Sequence, residues 1–279
     1  MGKIIWLASY PKSGNTWVRV FLANLFSGVD QPIDINTLDK FFGNLTSRPS
    51  YDIAAGGTTF NMAEQEVLRL RGEVQRAFCA MVPESAFLKT HSRFGDQFGL
   101  PLIEPECTVG AIYIVRNPLD VVVSAASHFD VGVDAMARHM ADPNFRTAAS
   151  EKHVTDYIGS WSDAVASWTV PAHPKIHVVR YEDLYEAPEA EFYRIVSFLG
   201  LRPSSERFGN AVKYSQFSSL AEQERAEGFK ERSPRAATFF RRGRPGEGRE
   251  MLKAGLIDKI VSAHGAQMAR FGYAKVGNF

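Results

Sequence analysis

The first 26 residues contain an apolar segment, a polar turn and an amphipathic segment, and this order constrains the fold more than any other feature. Ile4–Ser9 is short, apolar and rich in strand-forming residues, which predicts a buried β-strand. Tyr10–Asn15 (YPKSGN) has the composition of a turn, and Thr16–Phe26 carries apolar residues at helical spacing. A strand–loop–helix opening is typical of α/β folds that bind nucleotides.

The rest of the chain continues this alternation. Further strands are predicted at 87–90, 109–115 and 176–181, and further helices at 62–78, 118–128, 154–168, 188–199 and 256–271. Segments 28–60 and 129–151 are predicted to be irregular, and the charged segment 221–250 to be a mobile loop region. The alternation predicts the α/β class, with a central parallel β-sheet flanked by helices. No break in composition divides the chain, so a single domain over residues 1–279 is expected.

Charge and cysteine usage exclude several classes of protein. Lys plus Arg number 32 and Asp plus Glu 31, giving a net charge of +1 and no basic excess for coating nucleic acid or an anionic membrane. Cys79 and Cys107 are too few for a disulfide scaffold; one disulfide between them is the alternative to the two unpaired buried thiols that a reducing compartment favours. The opening apolar run is too short for a signal peptide or membrane span, which predicts a soluble cytoplasmic protein. A homodimer is compatible with the sequence, which does not determine the oligomeric state.

The turn after the first strand has the chemistry of a phosphate-binding loop. Amides at a helix start favour an anion, Gly14 permits close approach of the backbone, and Lys12 supplies a positive charge. Ser13 and Thr16 add hydroxyl donors. The alternative is a simple turn with a capping serine. The pattern G-x-x-x-x-G-K-[ST] of ATP- and GTP-binding loops is not matched, because the lysine here precedes the glycine.

The segment YPKSGNTW, Tyr10–Trp17, resembles the 5′-phosphosulfate loop of sulfotransferases that use 3′-phosphoadenosine 5′-phosphosulfate (PAPS), whose usual form is YPKSGTTW. Asn15 stands where a threonine is usual and still offers donors. The resemblance implies a P-loop-like sulfotransferase fold that binds PAPS and its product, adenosine 3′,5′-bisphosphate (PAP). The residues it implies at the 5′ side are Lys12, Ser13, Gly14, Asn15, Thr16 and Trp17.

Two later segments resemble the elements of this family that hold the 3′-phosphate. Arg116 follows a predicted strand, and Ser124 stands eight residues later on the predicted helix. A guanidinium fork beside a helix start suits a phosphate, whereas the alternative is that Arg116 caps a neighbouring element. Arg241, Arg242 and Gly243 resemble the family's late Arg-Lys-Gly triplet. The alternative for the triplet is a solvated basic loop.

Other matches imply the adenine site and the catalytic base. Tyr181, in Y-E-D, and the pair Ser215 and Phe217 resemble segments that lie near the adenine in relatives. His91 ends the strand Phe87–Thr90, at the edge where α/β sheets bind ligands, and matches the family's catalytic histidine. The opening segment also resembles bacterial sulfotransferases.

The resemblance implies transfer of a sulfuryl group to a hydroxyl or amine of a small-molecule acceptor. Lys12 would stabilise the charge on the departing phosphate, and His91 would remove the acceptor proton. This chemistry needs no metal, and no Asp/Glu pair in the sequence suggests one. Two other functions stay open: a nucleotide kinase or P-loop hydrolase that binds ATP and magnesium, and a non-catalytic nucleotide-binding relative. The acceptor is not identified by the sequence.

Overall fold

The computed structural model describes residues 2–170 and 175–274. The strands are β1 Lys3–Ser9, β2 Gly43–Asn44, β3 Ser85–Thr90, β4 Asp96–Gln97, β5 Leu100–Pro101, β6 Thr108–Val115, β7 Arg146–Thr147, β8 Asp156–Tyr157 and β9 Ile176–Arg180. The helices are α1 Asn15–Ser27, α2 Arg48–Ala55, α3 Glu64–Arg69, α4 Arg71–Met81, α5 Pro118–Phe129, α6 Val133–Ala141, α7 Trp161–Thr169, α8 Tyr181–Glu186, α9 Pro188–Phe198, α10 Ser205–Tyr214, α11 Phe217–Glu227, α12 Glu247–Met251 and α13 Ala254–Arg270. Short 3₁₀ turns cover Ile35–Lys40 and Pro105–Cys107.

A five-stranded parallel sheet in the order β2-β3-β1-β6-β9 forms the centre of the fold. β1 pairs with β3 from Lys3 opposite Ser85 to Ala8 opposite Thr90. Neighbouring strands that are distant in sequence require crossover connections, which the helices provide. The predicted α/β class with a central parallel sheet is confirmed.

The described chain divides into two compact units. Unit 1 contains the described residues within 1–10, 42–113 and 142–178, and unit 2 those within 11–41, 114–141 and 179–279. The sheet belongs to unit 1 apart from the last residues of β6 and β9, which belong to unit 2. The expectation of a single domain stays a prediction.

Unit 1 is built on the sheet, α2–α4 and α7. Trp6 on β1 is fully buried, and its Nε1 donates to Thr108 Oγ1 at 2.9 Å. Cys79 and Cys107 are both buried and free, as the sequence predicted.

Unit 2 contains α1, α5, α6 and α8–α13, and aromatic packing holds its first helix. Phe21 of α1 stacks on Phe192 of α9 with ring centroids 3.8 Å apart, and Phe208 of α10 meets Phe21 edge-on. α1 therefore begins at a polar loop and buries its apolar face among helices, as its periodicity predicted.

Several predicted boundaries were wrong. The predicted helix 154–168 begins only at Trp161, because Ser160 Oγ accepts from the Asp163 amide and caps the helix there. The residues upstream pair instead with β7. The predicted helix 62–78 is two helices, α3 and α4, that meet at Leu70.

The segments predicted to be irregular contain helices. Residues 28–60 include α2, whose start is favoured by Pro49 in its first turn, and residues 129–151 include α6. Segment 221–250 contains the end of α11 and the start of α12, while α8 and α10 were not predicted. In the described ranges, no helix combines the length and apolarity needed to cross a membrane.

Candidate functional site

The loop between β1 and α1 has the backbone of an anion site. Lys12 and Gly14 both adopt left-handed conformations, with φ of 67° and 106°. Gly14 is the N-cap of the 13-residue helix α1, and no side chain hydrogen-bonds to the cap position. The first amides of a helix have no partner within the helix and carry the positive end of its dipole, so they favour an anion.

Gly14 is required here for space as well as for conformation. A Cβ at this position would lie 2.6 Å from Tyr181 Cδ2 and 3.7 Å from Ile114 Cγ2. A left-handed conformation and a blocked Cβ position together make any other side chain costly here. The loop therefore lies directly on the Tyr181 ring.

Three buried polar atoms of this region have no hydrogen-bond partner among the described residues. They are Ser13 Oγ, Trp17 Nε1 and Arg116 Nε. Leaving a buried donor unsatisfied costs about 1–3 kcal/mol, so such groups call for a ligand or water. All three can donate a hydrogen, and the oxygen of an anion is an acceptor that suits them.

Arg116 follows β6, and its side chain joins two loops of unit 2. Its Nη1 donates to the Lys12 carbonyl at 3.2 Å and its Nη2 to the Arg244 carbonyl at 3.4 Å. The guanidinium lies 4.2 Å from the centre of the Tyr181 ring. Arg116 thus binds backbone carbonyls, as the capping alternative predicted, yet keeps Nε for a further acceptor.

Tyr181, the first residue of α8, connects the phosphate loop to the late basic triplet. Its hydroxyl donates to the Gly243 carbonyl at 2.9 Å, and its ring meets Trp17 edge-on at 5.7 Å. Burial raises the pKa of the Tyr181 hydroxyl. Gly243 has φ of 63°, and a Cβ there would lie 2.1 Å from Phe217 Cδ2. Residues predicted from four separate motifs therefore meet around one tyrosine.

The basic side chains of the late triplet are paired with carboxylates. Arg241 makes a bidentate pair with Glu247, which is only 2% exposed. Arg242 Nε lies 3.4 Å from the same carboxylate. Arg244 makes a second bidentate pair, with Glu250. The sequence suggested either a phosphate grip or a solvated loop, whereas the structure shows an ion-pair network.

Ser124 and Ser215 also lie in unit 2. Ser124 is on the second turn of α5 and is half-buried. Ser215 closes α10, and its Oγ donates to the Val212 carbonyl at 3.0 Å. No hydrogen bond between described residues links either serine to the phosphate loop.

Acidic side chains that the sequence did not single out hold the late segment in place. Asp120 on α5 accepts from the amides of Gly246 and Gly248 at 2.9 and 2.7 Å. Glu224 accepts from the amides of Phe239 and Phe240. The Phe239 ring in turn lies 3.6 Å from Lys12 Nζ. For Glu224, the sequence signal was the density of Glu among the Arg residues of 221–250, and Asp120 had no such signal.

His91 follows β3 and belongs to unit 1, whereas every other predicted site residue belongs to unit 2. Its Nδ1 lies 2.8 Å from the Ser9 carbonyl oxygen and 3.2 Å from Ser9 Oγ. A carbonyl oxygen can only accept, so in the neutral ring Nδ1 carries the hydrogen and Nε2 the lone pair. The ring is therefore in the tautomer that presents Nε2 as a base.

The residue after His91 is fixed by a buried polar network. Ser92 Oγ accepts from Arg71 Nη1 at 2.8 Å and donates to Asp156. The Ser92 carbonyl accepts from Trp168 Nε1 at 3.0 Å. Arg71 and Ser92 are each 1% exposed. This network holds the backbone immediately beside His91.

The described residues contain no group of three or more His, Cys, Asp and Glu placed to hold a metal ion. The arrangement in unit 2 offers donors to anionic oxygens, and that in unit 1 offers an oriented imidazole.

The comparisons with known proteins agree on one family. Residues 3–272 match the family model described as "Sulfotransferase domain". Curated relatives include Sulfotransferase 1A1 of Rattus norvegicus, 27% identical over 222 residues that cover 77% of this chain and 66% of the relative. Sulfotransferase 1A1 of Bos taurus is 27% identical over 218 residues, 77% of this chain and 64% of the relative. The chain thus spans slightly less than two thirds of the length of these relatives.

Solved structures share the fold. Mouse sulfotransferase SULT7A1 complexed with PAP aligns with a TM-score of 0.60 and 19% identity over 95% of this chain and 84% of its own. Retinol dehydratase in a complex with retinol and PAP aligns with a TM-score of 0.64 and 18% identity over 95% of this chain and 81% of its own. At these identities the likeness concerns the fold alone.

Proposed function

The chain belongs to the sulfotransferase domain family, and from this membership we propose that it transfers a sulfuryl group from PAPS to a small-molecule acceptor. The acceptor atom is a hydroxyl oxygen or an amine nitrogen, and PAP is the second product. One observation carries the proposal: Ser13 Oγ, Trp17 Nε1 and Arg116 Nε are buried donors without partners beside a helix start. A nucleotide with phosphate groups at both ends of its ribose fits this donor set.

The residues of unit 2 divide between the parts of the nucleotide. Lys12, Ser13, Gly14, Asn15, Thr16 and Trp17 would hold the 5′-phosphosulfate. Arg116 and Ser124 would hold the 3′-phosphate, and Tyr181, Ser215 and Phe217 the adenine. Arg241, Arg242 and Gly243 complete the 3′ site, where a phosphate has to exchange with the Glu247 carboxylate that now pairs Arg241.

The chemistry is an in-line displacement at sulfur. The acceptor atom forms a bond to sulfur as the bond from sulfur to the 5′-phosphate oxygen breaks, and that oxygen keeps the electron pair. Lys12 and the loop amides stabilise the charge that grows there, so they bind the transition state better than the ground state. His91 Nε2 takes the acceptor proton, since the Ser9 carbonyl holds the hydrogen on Nδ1.

A nucleotide kinase or P-loop hydrolase is the competing enzyme. It would share the strand–loop–helix but would prefer ATP with magnesium and gain nothing from a 3′-phosphate. A non-catalytic relative would bind PAP and transfer nothing, although Lys12 and His91 are both present.

The test is thermal unfolding with PAP, ADP and ATP–magnesium in parallel. A ligand at about 100 times its dissociation constant stabilises the folded state by about 2.7 kcal/mol. We expect PAP to raise the unfolding temperature far more than ADP, because only PAP carries the 3′-phosphate. If ATP–magnesium raises the unfolding temperature as much as PAP does, or more, the nucleotide kinase becomes the favoured function. Transfer of sulfur label from PAPS to an acceptor panel then separates an enzyme from a non-catalytic relative.

Which small molecule is the acceptor stays unassigned. The cytoplasmic location, the bacterial origin and the homodimer also stay predictions from the sequence.

A further inference from the structure

Arg19 on α1 connects the phosphate loop to a distant glutamate of unit 2. Its Nε donates to Asn15 Oδ1 and its Nη2 to Thr16 Oγ1, both at 3.0 Å. Its two terminal nitrogens also form a bidentate pair with Glu231, each at 2.7 Å. Arg19 is 3% exposed, so bulk water has little access to its guanidinium group.

These contacts decide which end of each loop side chain can face a ligand. An amide has an acceptor oxygen and a donor nitrogen, and a guanidinium only donates. Arg19 Nε therefore takes up the oxygen of Asn15, and the amide presents Nδ2, a donor, at its other end. Thr16 Oγ1 accepts from Arg19 in the same way, so its own hydrogen is the part that it can give to another acceptor.

Glu231 makes this orientation stable. A guanidinium buried without a carboxylate would be costly, and a bidentate pair fixes its plane. With that plane fixed, Nε points along α1 toward Asn15, four residues earlier. Without Arg19, the Asn15 amide could rotate and turn its oxygen toward an ionised phosphate, whose oxygens only accept.

We propose that Arg19, held by Glu231, is a positioning residue that fixes Asn15 and Thr16 as hydrogen-bond donors toward the 5′-phosphate of the nucleotide. The inference rests on the proposed function for the identity of the nucleotide. It accounts for asparagine at a position where the resembled loop has threonine. A threonine hydroxyl turns its own hydrogen toward an acceptor, whereas an asparagine amide needs a neighbour to set its direction.

The test measures nucleotide affinity by calorimetry for Arg19→Met with two ligands. PAP carries the 5′-phosphate, and adenosine 3′-monophosphate lacks it. We expect PAP to bind about 10- to 100-fold more weakly, as for the loss of one or two oriented hydrogen bonds to a charged group, and adenosine 3′-monophosphate to bind as in the wild type. Arg207→Met is the matched control. Arg207 donates to carbonyls at the other end of α1, so its loss should leave both affinities unchanged.

A rescue variant distinguishes a lost orientation of the Asn15 side chain from general damage to the phosphate loop. Adding Asn15→Thr to Arg19→Met should recover most of the lost PAP affinity, because the hydroxyl orients itself. An equal loss for both ligands, or no recovery with threonine, overturns the proposal. Should Arg19→Met fail to fold, Glu231→Gln keeps the arginine but not the bidentate pair, and we expect a smaller loss confined to PAP.

The proposed function fails separately. If the wild-type protein binds ATP–magnesium more tightly than PAP, the proposed sulfotransferase reaction is wrong. The role of Arg19 is then decided by ADP, which carries 5′-phosphates, against adenosine 3′-monophosphate.

Discussion

The contact between Gly14 and Tyr181 gives a stability prediction whose size can be worked from the structure. In Gly14→Ala, an alanine would have to hold φ of 106°, which costs about 1–2 kcal/mol in the left-handed region. Its Cβ would also lie 2.6 Å from the Tyr181 ring, and overpacking of this kind costs about 1–3 kcal/mol. The ring cannot move aside cheaply, because Arg116 covers one face and Gly243 holds its hydroxyl.

Gly200→Ala isolates the backbone contribution. Gly200 also belongs to unit 2 and has φ of 70°, but nothing lies within 4 Å of its Cβ position. Gly14→Ala should therefore lower the free energy of unfolding by about 1–3 kcal/mol more than Gly200→Ala. Urea unfolding followed by tryptophan fluorescence measures both variants.

A double substitution tests the cause. In a Tyr181→Ala background, the excess cost of Gly14→Ala over Gly200→Ala should disappear, because the clashing ring is gone. Equal costs of the two glycine substitutions in the wild-type background, or an excess that persists without the ring, would refute the reasoning.

The other predictions concern catalysis, nucleotide binding and pH. His91→Ala should lower turnover by about 100-fold or more and leave PAP affinity nearly intact, as for a lost general base; near-normal turnover in a PAPS-dependent assay would contradict the assignment. Arg116→Ala should weaken PAP binding by about 2–5 kcal/mol in calorimetry, whereas an unchanged affinity would leave Arg116 as a cap of backbone carbonyls only. Burial raises the pKa of the Glu182 carboxyl above its ordinary 4.5, although the Asn117 amide opposes this. The stability contributed by the protonated carboxyl is therefore present below pH 4.5 and lost as pH rises through the raised pKa. Glu182→Gln, which cannot ionise, should gain stability relative to the wild type as pH rises from 4.5 toward neutrality, and a difference independent of pH would show that Glu182 does not titrate in this way.

The parts of the fold that the sequence predicted correctly are those coded by neighbouring residues. β1, the loop and α1 follow one another within 27 residues, and each has its own local signal. The same holds for β6 and α5, where Asn117 Oδ1 accepts from the Leu119 amide and Pro118 starts the helix. Turn, cap and periodicity signals act over a few residues, so they can be read without knowing the tertiary structure.

The parts that the sequence did not predict depend on distant partners. Arg19 and Glu231 are 212 positions apart, and no local pattern marks either as a partner of the other. The charge density of 221–250 predicted a mobile loop region, yet Glu224 and Glu247 are buried and bind backbone amides or guanidinium groups. A charged residue is predicted to be exposed until its partner is known.

The two arginines of the late triplet and the neighbouring Arg244 are all paired, which has a consequence for the rate at which an anionic nucleotide arrives. The three guanidinium groups of Arg241, Arg242 and Arg244 face the two carboxylates of Glu247 and Glu250, which leaves one net positive charge. A cluster so nearly neutral attracts an anion weakly beyond the Debye length of about 8 Å at physiological salt. The contribution of this cluster to the ionic-strength dependence of the association rate should accordingly be small for PAP. The residence time of PAP should instead follow how readily the Glu247 carboxylate gives up Arg241 and takes it back.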